Sequence, residues 1–561
     1  MKKIMLKSIC ALAVVSMAVL VACSQNIFNF YKSESAKWQP NFDADGYWNT
    51  EQFKVKINDD NSYAIYAKNS VYGAYLAGRV AHLRQDFDQA AEYYKIVIEK
   101  DPDNVKVNRS IYVILASLGQ IDQAAVYAQK EIDNQESESV APLILAVKNF
   151  VNEDYAVARK NVDLIKEKVH KILINPLFDA WSFAGENNEK AAIASIDKIT
   201  NDAGLASLKL FHKAMIYDYL NNKTKADETY ETLVKKHPQD ITFRYLEIIT
   251  DFYVRNGDKE KAHKIFSHYH DNSMLALLLK SIDSKINAND INSPAIINTP
   301  QKGLAEALFN IGTLFRMSSG GTEFAQIYTA AATYLNPDYD ISKIALANIL
   351  EELGLLNEAN RYYMQINKES GSYFIAKIKL IENYNTLKDY VSAEKTLRKL
   401  LKEHPDNTQL LNDLGDIMVN QNKFNDAIKI YLHAINSMKE NRTDNWPIFY
   451  SLAVAYDKNK QPEKAEEYLQ KALELSQRNP NILNYLGYSW LNNNKNTDEA
   501  VHMIVEAYNQ YPYEGHIIDS LGWAYFRLGN YKKAIEYLER ASDINPGNAV
   551  ISDHLGDAYW F

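Results

Sequence analysis

The sequence predicts an all-α solenoid, a superhelix of antiparallel helix pairs, on three observations. A pattern of small and large apolar residues recurs about every 34 residues along most of the chain. Glycine and proline number only 20 and 14 in 561 residues, as a mostly helical chain requires, because both residues destabilise helix interiors. Apolar residues make up 47% of the chain and charged residues 24%, a balance typical of folded proteins rather than disordered ones.

The clearest unit begins at Gly515 and ends at Pro546. Gly522 lies on the inner face of its first predicted helix and Ala534 on that of the second, where small side chains let paired helices approach closely. Gly529 supplies the turn between them, since glycine tolerates left-handed backbone. Pro546 closes the unit because proline lacks the N–H that a continuing helix needs.

The same positions recur through the chain in phase, which one isolated match would not establish. The small residue of the second helix is found at Ala90, Ala124, Ala158, Ala192, Ala226, Ala262, Ala325, Ala359, Ala393, Ala427, Ala465 and Ala534. Closing prolines are found at Pro102, Pro238, Pro337, Pro405 and Pro546. This period and these residues resemble the tetratricopeptide repeat.

The repeats divide by sequence into two predicted stacks. Residues 66–280 form an N-terminal stack and residues 304–561 a C-terminal stack. Residues 281–303 are polar and contain two prolines, which predicts a linker between the stacks.

Two places depart from the regular spacing. Residues 492–496 form an asparagine-rich insertion that displaces the small residue to Ala500. Residues 555–559 begin a further repeat, and the sequence stops at Phe561 before its second helix. Either a partner covers the exposed face of that last helix, or the gene is truncated there.

The first residues read as a targeting signal. Residues 1–22 are basic and then apolar, and Leu20 to Cys23 resemble the lipobox of bacterial lipoproteins. That resemblance implies lipidation of Cys23 and transfer to the outer membrane, facing the periplasm, since Ser24 is not acidic; the periplasmic face of the inner membrane is the alternative location. An ordinary signal peptide with an incidental cysteine is the alternative interpretation. Residues 23–65 lack helical periodicity, which predicts a tether or an irregular cap.

Several segments resemble one group within the repeat family, the long tetratricopeptide lipoproteins of alphaproteobacteria. The segments are Gly73–Arg79, Pro176–Trp181, Phe211–Ala214, Asp519–Gly529 and Asp553–Trp560. The resemblance implies an all-helical array in the cell envelope. It does not specify a partner.

Composition and motifs argue against several functions. The formal net charge is −9 and no long basic run occurs, which disfavours nucleic-acid binding. The only cysteines are Cys10 and Cys23, so the repeats can form neither a disulfide nor a thiolate metal site. His263, His268 and His270 lack the H-E-x-x-H order of a zinc site. No hydrolase, dinucleotide or phosphate-loop motif is present, and we therefore predict no enzyme activity, metal or cofactor.

Polar and aromatic residues occupy the positions that face the groove in related repeats. In tetratricopeptide domains that clamp peptide C-termini, the resemblance implies Lys, Arg and Asn at these positions. Here the candidate groove-binding residues are Asn412, Asp416, Asn484, Tyr488, Asp519, Trp523, Asp553 and Asp557. Carboxylates in place of cations favour a Lys- or Arg-bearing peptide or the face of a sugar. The alternative is that these are solvated positions beside ordinary helix packing.

These observations predict a non-catalytic scaffold that binds protein or peptide partners in the bacterial envelope. The membrane is reached through the lipid anchor. The alternative is a carbohydrate-facing accessory lipoprotein, with a glycan as ligand, in polysaccharide export or cell-wall turnover.

Overall fold

The computed structural model describes residues 70–133, 140–167, 170–200, 205–269, 276–318, 320–438 and 445–561. The predicted signal peptide (1–22), the predicted lipidation site Cys23, the predicted tether (23–65) and His270 lie outside these residues. Within them, the regular structure consists of 28 α-helices and two short turns of other helix types. The predicted all-α class is confirmed.

The first half of the helices runs from residue 71 to residue 316. They are α1 (Val71–Leu83), α2 (Phe87–Lys100), α3 (Val105–Ser117), α4 (Ile121–Asp133), α5 (Val140–Val151), α6 (Tyr155–Asp163), α7 (Asn175–Gly185), α8 (Glu189–Ile196), α9 (Ala206–Tyr219), α10 (Lys223–Lys236), α11 (Phe243–Arg255), α12 (Lys259–Ser267), α13 (Ala276–Ala288) and α14 (Pro300–Arg316). A π-helical turn, His170–Ile174, precedes α7, and a 3₁₀ turn, Pro238–Asp240, precedes α11.

The second half runs from residue 322 to residue 560. They are α15 (Thr322–Leu335), α16 (Asp340–Glu352), α17 (Leu356–Met364), α18 (Tyr373–Thr386), α19 (Tyr390–Glu403), α20 (Thr408–Asn420), α21 (Phe424–Asn436), α22 (Trp446–Lys458), α23 (Pro462–Leu475), α24 (Pro480–Asn492), α25 (Thr497–Gln510), α26 (Gly515–Arg527), α27 (Tyr531–Ile544) and α28 (Ala549–Trp560).

The small residue of each unit packs between the two helices of a pair, as predicted. Ala90, Ala226 and Ala534 are each fully buried, and Ala500 takes this position after the insertion. At Gly522, a Cβ atom would lie 2.7 Å from Leu538 Cγ, closer than carbon atoms approach. Small residues are therefore required at this contact because the two helices approach too closely for larger ones.

The turns and ends of the pairs also follow the prediction. The turn residue before each second helix has a left-handed backbone, with φ of 75° at Gly529 and 58° at Lys460. Prolines stand just after helices: Pro102 follows α2, which ends at Lys100, and Pro546 follows α27, which ends at Ile544.

The described residues divide into two compact units, one within residues 70–379 and one within residues 380–561. This division differs from the two stacks predicted around a linker at 281–303. Residues 281–288 form the end of α13, and residues 289–299 connect it to α14. The pair α14–α15 belongs to the first unit because α14 packs against α7 and α9, and α15 against α3 and α5.

The second unit, residues 380–561, contains the end of α18, helix α19, the successive pairs α20–α21 to α26–α27, and α28. One of its core clusters includes Phe449, Leu486, Trp490, Ile504 and Leu521, drawn from consecutive pairs. Each pair therefore buries its apolar face against its neighbours, as in other repeat proteins.

Candidate binding surface on the first helices of the second unit

The candidate residues lie on the first helix of each pair in the second unit. We define the first-helix surface as the candidate residues given next together with Asp413; they lie on α20, α24, α26 and α28. Asn412 and Asp416 lie on α20, Asn484 and Tyr488 on α24, Asp519 and Trp523 on α26, and Asp553 and Asp557 on α28.

Asp416 is a half-buried carboxylate held by three donors. Tyr431 OH donates to Asp416 Oδ1 at 2.6 Å, and Asn412 Nδ2 donates to Asp416 Oδ2 at 3.2 Å. Ser451 on α22 adds a third hydrogen bond. Burial nevertheless raises the pKa of the Asp416 carboxyl group above its usual value. The three donors hold the Asp416 carboxylate in position, but all three are neutral groups and none of them compensates its negative charge.

Asp413, one turn away from Asp416 on α20, is the most perturbed acid of this surface. Burial raises its pKa to about 7, and repulsion from Asp416 and Glu382 adds to the effect. Gln409 Nε2 donates to Asp413 Oδ1 at 2.8 Å, and this hydrogen bond offsets part of the rise in the pKa of Asp413. A cation placed beside Asp413 would restore its ionised form.

A second cluster surrounds His554, which is 6% exposed, on α28. His554 Nδ1 donates to Asp519 Oδ1 at 2.9 Å, and Tyr488 OH lies 3.4 Å from His554 Nε2. The ring of Trp523 stacks on His554 with centroids 4.2 Å apart. These contacts tie α28 to α24 and α26.

The position of Trp523 does not favour the stacking of a sugar on its face. Besides His554, its ring stacks against Phe526 with centroids 4.8 Å apart, and Trp523 Nε1 donates to Asn492 Oδ1 at 2.8 Å. The flat surface and the N–H that would recognise a sugar are therefore engaged within the protein.

The structure brings together some of the predicted residues and separates others. Asn412 contacts Asp416, and Tyr488, Asp519 and Trp523 meet at His554. Asn484 is 8% exposed, and its Oδ1 atom has no hydrogen-bond partner within the described part of the chain. Asp553 and Asp557 are exposed on α28.

Sequence reasoning missed Asp413 and His554, which occupy the same repeat position. That position stands two residues before the first-helix glycine, as Asp413 does before Gly415 and His554 before Gly556. Tyr485 also occupies it, and its OH donates to Asp457 Oδ2 at 2.7 Å. At His554 and Tyr485 the position links one repeat to the preceding one, and aligning the repeats on their glycines would have revealed its polar character.

No group of three or more His, Cys, Asp or Glu side chains among the described residues could hold a metal ion. None of the helices found there combines the length and the apolar character that crossing a membrane requires.

Profiles of the tetratricopeptide repeat match five segments of the chain. These are residues 446–479 and 520–548, residues 386–442, and residues 73–104 and 210–240. The matches lie in both compact units.

Individual proteins match over shorter stretches. The BBSome complex member BBS4 of Bos taurus is 32% identical over 122 residues, which is 22% of either chain. The type IV pilus assembly protein PilF of Pseudomonas aeruginosa is 28% identical over 109 residues, 19% of this chain and 43% of PilF. This chain thus matches less than half of the length of either relative.

Two solved structures are also similar to this chain, at low sequence identity. The Cut9–Hcn1 hetero-tetramer of the APC/C is aligned over 89% of this chain and 98% of its own, with 14% identity and a TM-score of 0.30. The type IV pilus biogenesis factor PilW is aligned over 38% of this chain and 98% of its own, with 18% identity and a TM-score of 0.34. The helix pairs, the buried small residues and the matching repeat profiles together show that the chain is an all-α tetratricopeptide-repeat solenoid.

Proposed function

We propose that this protein is a non-catalytic scaffold of the bacterial envelope that binds peptide segments bearing Lys or Arg on the first-helix surface. Tetratricopeptide repeats bind protein or peptide partners, and a stack of first helices offers an extended surface for them. The observation that carries the proposal is the pair of neighbouring carboxylates Asp413 and Asp416 on α20, where burial and the charge of Asp416 disfavour the ionised form of Asp413.

Ionisation of Asp413 is unfavourable until a cation binds beside it. The raised pKa of Asp413, about 7, means that its ionised form is disfavoured by burial and by the neighbouring carboxylates. A Lys or Arg side chain bound there would form charge-assisted hydrogen bonds and remove this repulsion. A peptide with an acidic side chain would add to the repulsion instead.

Peptide binding to the full chain tests the proposal. We expect fluorescence anisotropy to detect binding of Lys/Arg-containing peptides and none of matched Glu-containing peptides. Asp413→Asn is expected to weaken binding at least tenfold, about 1.4 kcal/mol. Asp426→Asn removes the same charge from an exposed position on the second helix α21 and serves as the control. Equal affinities for both peptides, or equal loss in both variants, would refute the proposal.

The envelope location is proposed from residues 1–23, on the resemblance of Leu20 to Cys23 to a lipobox. Lipid on Cys23 would anchor the repeats to the membrane, since more than one acyl chain gives stable attachment. Metabolic labelling with a palmitate analogue should mark the wild-type protein and not the Cys23→Ser variant. Equal labelling of the two proteins, or none in either, would argue against the anchor.

A further inference from the structure

Helix α1 has an exposed apolar face. Five of its large apolar side chains are exposed by 40–81%: Tyr72, Tyr75, Leu76, Val80 and Leu83. Counted from Tyr72, they lie at positions i, i+3, i+4, i+8 and i+11, which share one face of an α-helix. Single exposed apolar residues are ordinary on a protein surface, but a continuous set of this kind marks a contact with a partner or with a membrane.

The opposite face of α1 is held closely against α2. Ala74, Gly78 and Ala81 are buried on this side of the helix. A Cβ atom on Gly78 would lie 2.6 Å from Tyr94 Cε1, closer than carbon atoms approach. Because the two helices approach so closely at Gly78, α1 cannot turn about its axis to bury the apolar face within its own pair.

The charge of this face is positive, although the chain as a whole has a formal net charge of −9. Helix α1 contains no Asp or Glu. Arg79 lies on the same face, Arg84 caps the C-terminal end of the helix, and both are exposed. His82 is mainly neutral at pH 7 because burial and the charge of Arg79 lower its pKa. Apolar groups and two cations therefore share one surface.

This combination fits an anionic phospholipid surface. A helix that lies in a membrane interface places aliphatic side chains among the acyl chains, tyrosines at the level of the headgroups, and arginines against the phosphates. Helix α1 has all three kinds of residue. A second copy of the chain on the same face would bring the arginines of both copies together, and like charges repel. Anionic lipid, in contrast, attracts this face while it repels the rest of the negatively charged chain.

We propose that α1 docks on an anionic phospholipid surface, with its apolar face in the membrane interface and Arg79 and Arg84 at the lipid phosphates. Residues 24–69 join α1 to the predicted lipidation site Cys23, so an anchored chain would hold the helix near the membrane at a high effective concentration. The inference rests on the proposed envelope location and not on peptide binding by the second unit. A test on vesicles without the lipid anchor separates its failure from that of either claim.

A fluorescent probe on α1 tests the docking in the full chain. Cys10→Ser and Cys23→Ser remove both native thiols and the lipidation site, so that one introduced cysteine carries the environment-sensitive fluorophore NBD. Leu76→Cys places the probe on α1 and Val126→Cys places it on α4, where the native side chains are exposed by 62% and 61%. Two probes are compared because the apolar residues 1–22 can attach the whole chain to vesicles.

The two probes should respond differently to vesicles of phosphatidylglycerol and phosphatidylethanolamine. We expect the Leu76→Cys probe to brighten at least about threefold with a shift to shorter wavelength, because it enters the interface. The Val126→Cys probe should stay unchanged. With vesicles of phosphatidylcholine alone, the Leu76→Cys probe should need at least about fivefold more lipid for half of its response.

Charge reversal tests the role of the arginines. In the Leu76→Cys chain, Arg84→Glu should raise the lipid concentration for half of the response by at least about fivefold. Lys395→Glu makes the same change of charge at an exposed position of α19 and should leave it unchanged.

Three results would overturn the proposal. The first is an equal response of the two probes, or none from the Leu76→Cys probe. The second is equal effects of Arg84→Glu and Lys395→Glu. The third is a Leu76→Cys probe that is already bright and shifted before vesicles are added, because protein would then cover the face.

Discussion

Two glycines at the same repeat position differ in whether the space around them leaves room for a side chain. A Cβ atom on Gly522 would meet Leu538 at 2.7 Å, whereas one on Gly556 would have no neighbour within 4 Å. The sequence alone makes the two positions equivalent. Only the packing of a second helix against the first makes one of them intolerant of a side chain.

We therefore expect Gly522→Ala to destabilise the protein by about 1–3 kcal/mol because it overpacks the α26–α27 contact. Gly556→Ala should be neutral or stabilising by up to about 1 kcal/mol, since alanine favours the helix and meets no neighbour. Urea unfolding followed by circular dichroism measures both. Equal effects of the two substitutions would contradict the packing described at Gly522.

The acid Asp413 should make stability depend on pH. Its pKa is raised in the folded protein to about 7, so the folded state binds a proton more tightly than the unfolded state does. Its contribution to stability is present below the unfolded pKa of about 4 and is lost as the pH rises through 7.

Asp413→Asn should therefore stabilise the protein at pH 8 relative to wild type, by about 1 kcal/mol after allowance for the partial exposure of the carboxyl group. The difference should shrink as the pH falls towards 4. Thermal unfolding across this range, with Asp426→Asn as the control for net charge, measures it. A difference that does not change with pH would show that the pKa of Asp413 is not raised.

At the scale of the helix pair, the repeats reuse the same contacts. A lysine at the start of the second helix lies over a tyrosine ring near the end of the first. The distances from Nζ to the ring centroid are 5.2 Å for Lys225 and Tyr217, 4.5 Å for Lys261 and Tyr253, 5.2 Å for Lys464 and Tyr456, and 5.0 Å for Lys533 and Tyr525. Each such cation–π pair contributes about 0.5–1 kcal/mol where it is exposed, and it gives several of the 38 tyrosines a structural role.

The turn between paired helices offers a second test at this scale. Lys460 and Gly529 occupy equivalent turns with φ of 58° and 75°, and left-handed backbone costs a residue with a side chain about 1–2 kcal/mol. Lys460→Gly should raise the free energy of unfolding by up to about 1 kcal/mol. Glycine avoids the left-handed strain, but its greater freedom in the unfolded chain offsets part of that gain. Gly529→Lys should lower the free energy of unfolding by about 1–2 kcal/mol.

The urea midpoint of each variant measures the change. The two variants serve as controls for each other. A Cβ atom at Gly529 would meet no atom within 4 Å, so the effect of Gly529→Lys comes from the backbone conformation and not from a steric clash. Changes of the same sign in both variants would contradict the left-handed turn.

At the scale of the molecule, local pattern and long-range packing were not equally predictable. The 34-residue period located the helix pairs and their small residues because those contacts join neighbours in sequence. The docking of α14–α15 depends on contacts such as that of Gln326 with Ser117, which are 209 residues apart. A pair that stacks on its neighbour and a pair that also packs on distant helices have the same local pattern.

For the candidate site, too, the sequence predicts the positions of the residues on the helices but not their contacts with neighbouring repeats. The groove positions were located from the repeat, and Asp416 and Trp523 do lie on first helices. The engagement of Trp523 by His554 and Phe526 was not predictable, since it depends on how α28 packs against α26. Which polar residues are available to a partner thus follows from packing between repeats and not from position within one.

The central claim, that the first-helix surface of the second unit binds protein partners, is tested most directly by photocrosslinking in cells. A photoreactive residue at Gln409, exposed beside Asp413 on α20, is compared with one at Lys429, exposed on the second helix α21. We predict that Gln409 yields a discrete crosslinked protein, that its crosslinked peptide contains Lys or Arg, and that Lys429 yields none. The same products from both positions, or none from Gln409, would contradict this account.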